Sequence, residues 1–370
     1  MRFPEFTEEW KAEQLDNIAT LSKGIGISKE QLSEDGEPCI LYGELYTKYK
    51  SEIIKQVESK TDINGSKLKR SKANDVIIPC SGETAVDIAT ARCVPFDNIL
   101  FGGDLNVISL HQYDGAFMSY QLNGKRKYDI ARVAQGVSIV HLYGEHLKAI
   151  KTYNPTLPEQ QKIAKLLSLL DDRIDTQNKI IEDLKKLKSA TSERLFKSVK
   201  GFTVLLSDLC DIVKGKQING ENLSDSGNYY VMNGGTEPSG YYDNYNVEAS
   251  TISISEGGNS CGYVQFNTSP FWSGGHCYSI QNIADKVDNM YLYHYLKSNE
   301  DAIMKLRIGS GLPNIQKKDL AMFKIIVPKI EWQIKISTFL SSLERKAEIE
   351  ERIQNVMQKQ KLYLLQQMFI

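Results

Sequence analysis

Residues 159–197 read EQQKIAKLLSLLDDRIDTQNKIIEDLKKLKSATSERLFK, without a glycine or a proline. Their apolar residues recur at three- and four-residue steps, which is the spacing of one helical face. Pro158 suits a first helical turn, where a missing N–H costs nothing. The stretch therefore predicts one helix of about 58 Å, at a rise of about 1.5 Å per residue. The predicted apolar seam consists of Ile163, Leu167, Leu170, Ile174, Ile181, Leu184 and Leu195, with Gln177 interrupting it.

A second long helix is predicted at the end of the chain, because residues 331–370 also lack glycine and proline. A long helix with a polar outer face has to lay its apolar stripe against another element. The two predicted helices can supply that element to each other, and two independent core helices are the alternative. The second seam consists of Ile336, Leu340, Leu343, Ala347, Met357, Leu364 and Met368, with Glu350 and Gln354 inside it.

An internal repeat relates the two helices and the segments that precede them. An offset of 173 residues places Ile163 on Ile336, and near the start of each half an offset of 191 places Lys23 on Lys214. The sequence therefore predicts two copies of one unit, in which a mixed domain is followed by a long helix. The predicted segments are 1–154 (first mixed domain), 155–200 (central helix), 201–330 (second mixed domain) and 331–370 (C-terminal helix).

The alignment of the two copies contains two apparent irregularities. A slip of two residues is needed to place Gly136 on Gly311. The stretch 331–335 then shows one residue more than its counterpart at the start of the central helix.

Composition limits the class of protein. A chain of 370 residues exceeds what one hydrophobic core usually organises, so two or three domains are expected. The net charge of −1 excludes a uniformly basic protein, and any contact with nucleic acid has to come from local patches. The six cysteines form no CxxC pair, which predicts free thiols in a reducing cytoplasm rather than a zinc site. No apolar run approaches about 18 residues, so no membrane association is expected.

The mixed domains are predicted to be β-rich, with short helices. Residues 75–78, 251–254 and 323–327 have the β-branched composition of strands. Glycine pairs such as Gly102-Gly103 and Gly274-Gly275 are turn signals between them. Such a scaffold places recognition residues on loops that a rigid frame holds.

No catalytic constellation is found in the sequence. There is no GxxxxGK[ST] phosphate loop, and the five histidines form no HxH or HExxH pattern. Residues 154–157, Asn-Pro-Thr-Leu, lack the second proline and the aromatic residue of an amino-methyltransferase loop. We therefore expect no catalytic residue, no metal site and no cofactor bound by this chain. The alternatives are a self-contained DNA methyltransferase or nuclease with an unrecognised site, and a coiled-coil scaffold.

Residues suited to binding nucleic acid are better represented. Lysine and arginine contact phosphates, whereas asparagine and tyrosine on glycine-rich loops suit base edges. Solvated basic loops, and tyrosines packed under a long loop, are the alternatives. Candidates in the first domain are Tyr42, Tyr46, Lys48, Lys67, Lys69, Arg70, Lys72, Lys125, Arg126 and Lys127. Candidates in the second domain are Lys214, Lys216, Asn233, Tyr241, Tyr242, Asn244, Arg307, Ser310 and Asn314.

Short motifs in a fixed order connect the chain to a known family. They are Arg2–Phe6, Leu41–Glu44, Gly102–Leu105, Pro158–Ala164, Gly309–Asn314 and Gln366–Phe369. Together with the two-unit repeat they resemble the specificity (S) subunits of type I restriction-modification systems, over essentially the whole chain. The stretch Ala134–Val137 departs from the family pattern, because it replaces a Gly-Ser-Gly loop.

The resemblance implies an α+β fold. Two β-rich target recognition domains in a pseudo-twofold arrangement would be separated by two long helices packed as an antiparallel coiled coil. Each recognition domain would read one half of a bipartite, asymmetric target in double-stranded DNA, and the helices would act as a ruler for the unread spacer. The resemblance also implies docking of methyltransferase (M) subunits, which bind S-adenosylmethionine, and of a restriction (R) subunit. The chain itself would be the non-catalytic specificity subunit of that methyltransferase and endonuclease.

Overall fold

The computed structural model describes residues 2–64, 67–309, 311 and 313–369. The chain divides into two compact units. Unit 1 comprises the residues up to Asn178 together with those from Arg352 onward, and unit 2 comprises Lys179–Glu351. Both units combine sheets with helices, so the predicted α+β class is confirmed.

Unit 1 holds the first mixed domain. Its strands are β1 (Lys11–Gln14), β2 (Ala19–Lys23), β3 (Leu32–Ser33), β4 (Glu37–Ile40), β5 (Lys60–Thr61), β6 (Lys69–Arg70), β7 (Asp75–Pro79), β8 (Ser81–Gly82), β9 (Arg92–Val94), β10 (Leu100–Phe101), β11 (Leu105–Leu110), β12 (Val140–His141) and β13 (Lys151–Asn154). Its short helices are α1 (Leu15–Ile18), α2 (Glu44–Thr47), α3 (Ala85–Ile88), α4 (Gly115–Asn123), α5 (Lys127–Val133) and α6 (Gly144–Lys148).

Unit 2 holds the second mixed domain. Its strands are β14 (Phe202–Leu205), β15 (Asp211–Lys214), β16 (Tyr229–Met232), β17 (Tyr241–Tyr242), β18 (Thr251–Ser255), β19 (Val264–Asn267), β20 (Trp272–Ser273), β21 (Cys277–Gln281) and β22 (Lys324–Val327). Its short helices are α8 (Asn289–Ser298), α9 (Glu300–Met304) and α10 (Lys317–Ala321). The long helices α7 (Leu157–Ser198) and α11 (Ile330–Gln367) each contribute residues to both units.

The four-stranded sheet of each unit carries the core. In unit 1 its order is β2-β11-β7-β9, and in unit 2 it is β15-β21-β18-β19, with antiparallel pairing throughout. Because side chains alternate across a strand, Val76 and Ile78 pack with the helices of unit 1. Ile77, between them, packs on the other face with Ile40 and Phe101 of the five-stranded sheet. The four-stranded sheet of unit 1 is therefore buried on both faces.

The long helices contact each other within each unit. In unit 1, Asp171 pairs with Lys361, and Asn178 is hydrogen-bonded to Gln354. Residue numbers thus rise on α7 while they fall on α11, so the contacts run antiparallel. Unit 2 shows the same order, since Lys185 pairs with Glu351 and Lys188 with Glu344. The coiled-coil packing of the helices stays a prediction, as do the four segment boundaries.

The internal repeat is visible in individual hydrogen bonds. Gln160 accepts a bond at Oε1 from the backbone N–H of Asp114, and Gln333 accepts one from Asp288. Each glutamine also donates from Nε2 to the carbonyl of the proline five residues before it. The two glutamines are 173 residues apart, as are the first residues of α7 and α11. The expected extra residue in 331–335 is therefore wrong, because the helix starts match without an insertion.

The expected two-residue slip is also wrong. Gln135 and His141 exchange a pair of backbone hydrogen bonds, and so do Ile308 and Asn314, at an offset of 173. Gly136, with a φ of 119°, therefore corresponds to Gly309, with a φ of 100°. The sequence alignment chose the wrong glycine because residues 309–314 contain two of them.

Candidate nucleic-acid interface

The loops at one edge of the four-stranded sheet form a common surface in each unit. In unit 1, β2 and β7 both run antiparallel to β11, so the ends of β2 and β7 meet the start of β11. We call residues 24–28, 80–84 and 102–104 the loop edge of unit 1. In unit 2, β15 and β18 end where β21 begins. We call residues 215–217, 256–262 and 274–276 the loop edge of unit 2.

Glycines allow the loops of each edge to approach closely. A Cβ added to Gly24 would lie 1.9 Å from the carbonyl oxygen of Gly102. A Cβ added to Gly215 would lie 2.2 Å from the carbonyl oxygen of Gly274. Both clashes are with backbone, which cannot give way as a flexible side chain can. Gly24 and Gly215 therefore allow close approach to the predicted turn glycines Gly102 and Gly274.

The variant Gly215→Ala is expected to displace the loop edge of unit 2 and to lower the stability of that unit by about 1–3 kcal/mol, the range for forced overpacking. Gly220→Ala is the matched control, because nothing lies within 4 Å of a Cβ there. Thermal unfolding of both variants checks the prediction, which fails if the two behave alike.

A further loop contacts each loop edge, at His141 in unit 1 and at Asn314 in unit 2. His141 pairs with Ser81 in unit 1, through β12 and β8. In unit 2, Asn314 forms a bridge with Gly257. The loop of unit 1 carries Val137, which is 97% exposed. Its edge therefore presents an apolar side chain to whatever binds there.

Three positions in or next to the loop edge have the same place in the sheet topology of both units but carry different side chains. They are the last residue of β2 or β15, the residue that follows β7 or β18, and the residue that precedes β11 or β21. Unit 1 holds Lys23, Cys80 and Asp104 there, and unit 2 holds Lys214, Glu256 and His276. Burial raises the pKa of the Cys80 thiol to about 11, so this position is neutral in unit 1. The same three positions therefore carry a different set of charged groups in unit 1 and in unit 2.

The aromatic candidates of unit 1 lie beside its loop edge. Tyr46 donates from its hydroxyl to the carbonyl oxygen of Ser81, at 3.0 Å. Tyr42 and Tyr46 line a cavity of about 640 Å³ together with Glu83 and Asp87. Both rings stay partly exposed, at 39% and 37%. The structure therefore brings these two candidates together with the loop edge.

Several basic candidates of unit 1 are engaged inside the protein. Arg70 donates from both terminal nitrogens to the carboxylate of Glu37, at 2.6 and 2.9 Å. Lys48 Nζ lies 2.8 Å from Glu44 Oε1. The charges of Arg70 and Lys48 are therefore paired with neighbouring carboxylates. Lys67 and Lys72, in contrast, are exposed, and Lys69 is half-buried in β6.

The third basic stretch of unit 1 lies elsewhere. The Arg126 guanidinium lies 5.2 Å from the ring centroid of Tyr153 and 3.2 Å from Asp129. Lys125 is exposed and Lys127 begins α5 half-buried. Arg126 therefore lies beside β13 and the first turn of α5.

Four candidates of unit 2 converge on its loop edge. Lys214 ends β15 and pairs with a carboxylate of the edge at 2.6 Å, and Lys216 is exposed in the loop that follows. Asn233 Oδ1 accepts from the backbone N–H of His276, at 3.2 Å. Asn314 is exposed and bridges to the edge through its backbone. Cationic and amide groups are therefore placed side by side.

The remaining candidates of unit 2 are more dispersed. Tyr241 and Tyr242 form β17, and the ring of Tyr242 packs edge-on against a tryptophan at 5.1 Å. Asn244 and Arg307 are exposed. Ser310 lies outside the described residues.

Sequence reasoning missed the most distinctive side chains of the edge. Glu256 is 7% exposed, and its carboxylate is held by Lys214 and by the hydroxyl of Tyr278. His276 lies beside it. The only sequence signal was the glycine pair before His276, which predicts a turn but says nothing of a buried carboxylate.

Within residues 2–64, 67–309, 311 and 313–369, no group of three or more His, Cys, Asp or Glu side chains could hold a metal ion. Over the same ranges, no helix has the length and apolar character needed to cross a membrane.

A family model of the type I restriction modification DNA specificity domain matches residues 7–186 and again residues 201–359. The chain belongs to this specificity family. The double match agrees with the internal repeat, and the loop edges lie within the two matched segments.

Relatives of the specificity family cover the chain to different extents. A type I restriction enzyme specificity subunit of Methanocaldococcus jannaschii is 24% identical over 96% of this chain and 90% of its own length. A putative type I specificity subunit of Mycoplasma genitalium is 34% identical over 122 residues, and the chain spans only 31% of that relative's length. The crystal structure of a type I system S subunit from M. genitalium matches with a TM-score of 0.71 at 19% identity, covering 100% of this chain and 97% of that one. At that identity the likeness shows the fold.

Proposed function

We propose that the chain is the DNA sequence-recognition subunit of a type I restriction-modification complex. One observation carries the proposal: the same loop edge occurs once in each unit, with Lys, Cys and Asp in one and Lys, Glu and His in the other. A protein that reads a bipartite, asymmetric target needs two similar scaffolds with different reading groups. Each loop edge reads one half of the target in double-stranded DNA.

The chain works without catalysis of its own in this proposal. S-adenosylmethionine binds to the methyltransferase subunits, and a restriction subunit joins the same complex to cleave cytoplasmic DNA. A fused methyltransferase or nuclease is the rival function, and retention of S-adenosylmethionine by the isolated chain would favour it. A scaffold without DNA contact is the second rival.

Exposed apolar residues repeated on both long helices support the docking of two identical subunits. Leu166 of α7 is 38% exposed, and its counterpart at an offset of 173, Phe339 of α11, is 48% exposed. Exposed side chains contribute nothing to the core, so their repetition indicates a partner that binds twice. We propose that the helix face around Leu166 binds one methyltransferase subunit and that the face around Phe339 binds the other.

The variant Phe339→Asp is expected to release one of two methyltransferase subunits, because it puts a charge into only one copy of the face. Leu166→Asp should release the other, and the double variant both. Leu187→Asp is the matched control, since Leu187 is 51% exposed but its counterpart, Gln360, is polar. Native mass spectrometry of the assembled complex counts the subunits. Retention of both subunits in the double variant would remove the docking proposal.

DNA affinity should depend on the exposed lysines before and after β6. We expect Lys67→Ala with Lys72→Ala to weaken binding to all sequences alike and to flatten the log–log salt slope by about 1.8, which is about 0.9 for each lost phosphate contact. Arg70→Ala should change the slope less, because Glu37 already balances that charge. Titration of labelled duplexes at several salt concentrations measures both slopes. Equal slopes in the wild type and the double variant would show that the lysines do not contact phosphate.

A further inference from the structure

The loop edge of unit 2 contains a carboxylate with one satisfied and one unsatisfied oxygen. Glu256 Oε1 accepts from Lys214 Nζ at 2.6 Å and from the hydroxyl of Tyr278 at 3.1 Å. Glu256 Oε2 is buried and has no hydrogen-bond partner among the described residues. Leaving a buried carboxylate oxygen without a donor is costly, so the site is built for a donor that is not yet in place.

The nearest donor is an imidazole. His276 Nδ1 lies 3.9 Å from Glu256 Oε2, which is beyond hydrogen-bond distance but within reach of a small side-chain rotation. The backbone of His276 is held by Asn233, while its side chain is 63% exposed. The residue can therefore face the carboxylate with one nitrogen and a ligand with the other.

We propose that His276 is a proton-dependent contact to the DNA backbone of the half-site read by unit 2. In the protonated ring, Nδ1–H donates to Glu256 Oε2 and Nε2–H donates to a phosphate oxygen. Binding of DNA is then coupled to the uptake of one proton from solvent. This inference rests on the proposed function, because it assumes that the loop edge meets DNA.

Charged groups around the ring favour a phosphate as the ligand. Glu256, which follows β18, is already balanced on its Oε1 side by Lys214, which ends β15. Tyr278 of β21 donates to the same oxygen and carries no charge. A protonated His276 therefore adds a positive charge at an edge that also exposes Lys216. Phosphate and sugar receive half to two-thirds of protein–DNA hydrogen bonds.

Unit 1 lacks this arrangement. The position of His276 is taken by Asp104 and that of Glu256 by Cys80, a buried thiol. Proton-dependent binding should therefore come from one half-site, which separates it from a general effect of pH on the protein.

The test uses the full chain with its methyltransferase subunits and a labelled duplex that carries the target mapped by methylation sequencing. Affinity should fall as the pH rises, because a neutral imidazole has one N–H donor and cannot donate both to Glu256 and to a phosphate oxygen. The log–log salt slope should be steeper by about 0.9 at the acidic end, which corresponds to one more phosphate contact. His276→Gln should abolish both effects, whereas Glu256→Gln should leave part of the pH dependence, because a protonated ring can still donate from Nε2 to the phosphate oxygen.

His111→Gln is the matched control, because His111 is exposed and follows the opposite end of β11. It should behave as the wild type. A His276→Gln complex that keeps the pH and salt dependence of the wild type would overturn the inference. So would a Glu256→Gln complex that methylates a changed sequence at unchanged pH dependence, since the carboxylate would then read a base directly. Binding that is tight but independent of pH defeats this inference alone, whereas absence of binding at every pH defeats the proposed function as well.

Discussion

Replacement of Lys361 by alanine is expected to destabilise unit 1 by about 3–5 kcal/mol, the cost of breaking a buried ion pair from one side. The Lys361 side chain is 15% exposed, and its Nζ lies 2.6 Å from Asp171 Oδ1 while it also donates to Glu52. Burial alone would lower the pKa of Lys361, but the two carboxylates raise it. Removal of the ammonium leaves the carboxylates of Glu52 and Asp171 close to each other without the cation that pairs with both, although the buried Arg92 guanidinium still attracts them.

The matched control is the repeat of this arrangement in unit 2. Lys188 lies 2.6 Å from Glu344 at the same offset of 173, but the two side chains are 21% and 28% exposed. Solvent screens that pair, so Lys188→Ala should cost about 1 kcal/mol or less. Urea unfolding of the Lys361→Ala chain, followed by Trp10 fluorescence with Trp272 and Trp332 replaced by phenylalanine, reports on unit 1. Unfolding of the Lys188→Ala chain, followed by Trp272 and Trp332 fluorescence with Trp10 replaced, reports on unit 2. A shift for Lys361→Ala no larger than that for Lys188→Ala would contradict the expected role of the buried cluster.

Lengthening both long helices is expected to change the unread spacer of the DNA target. One helical turn, about four residues, inserted after Asn178 in α7 and after Glu351 in α11 adds about 6 Å to each helix. Duplex DNA rises about 34 Å in 10 base pairs, so the spacer should grow by about two base pairs while both half-sites stay the same. Methylation at the original spacing should be lost.

The paired design matters because the helices contact each other antiparallel. An insertion in α7 alone shifts the partners of Asn178 and Lys188 out of register, and we expect it to abolish methylation at every spacing. Sequencing of modified sites in both variants distinguishes the outcomes. An unchanged spacer in the paired variant would remove the proposal that the helices act as a ruler.

The long helices and the repeat were predictable because they are written in local patterns. Apolar residues at helical spacing over some 40 positions indicate a long helix. The predicted helix covered 159–197, and the observed helix α7 spans Leu157–Ser198. The strands β7, β18 and β22 also lie where β-branched residues indicated them. The alignment of Gly136 failed because hydrogen bonds between residues six apart, not residue identity, decide which glycine corresponds.

The candidate site was only partly predictable, because long-range pairing changes what a residue can do. Residue type suggested Arg70 as a phosphate contact, but the fold places Glu37, 33 residues away, against its guanidinium. The sequence pattern did not single out Glu256, which is distinguished only by its burial and by its bond to Lys214. The convergence of Lys214 and Asn233 follows from sheet topology, which the sequence pattern did not specify.

The central claim is that this chain chooses the DNA sequence that its complex methylates. Sequencing-based mapping of modified adenines, in a host that expresses the chain with its methyltransferase subunit and in a host that lacks only the chain, tests it most directly. The account predicts a bipartite motif with a gap of constant length that disappears without the chain. Methylation that stays the same when the chain is deleted would contradict it.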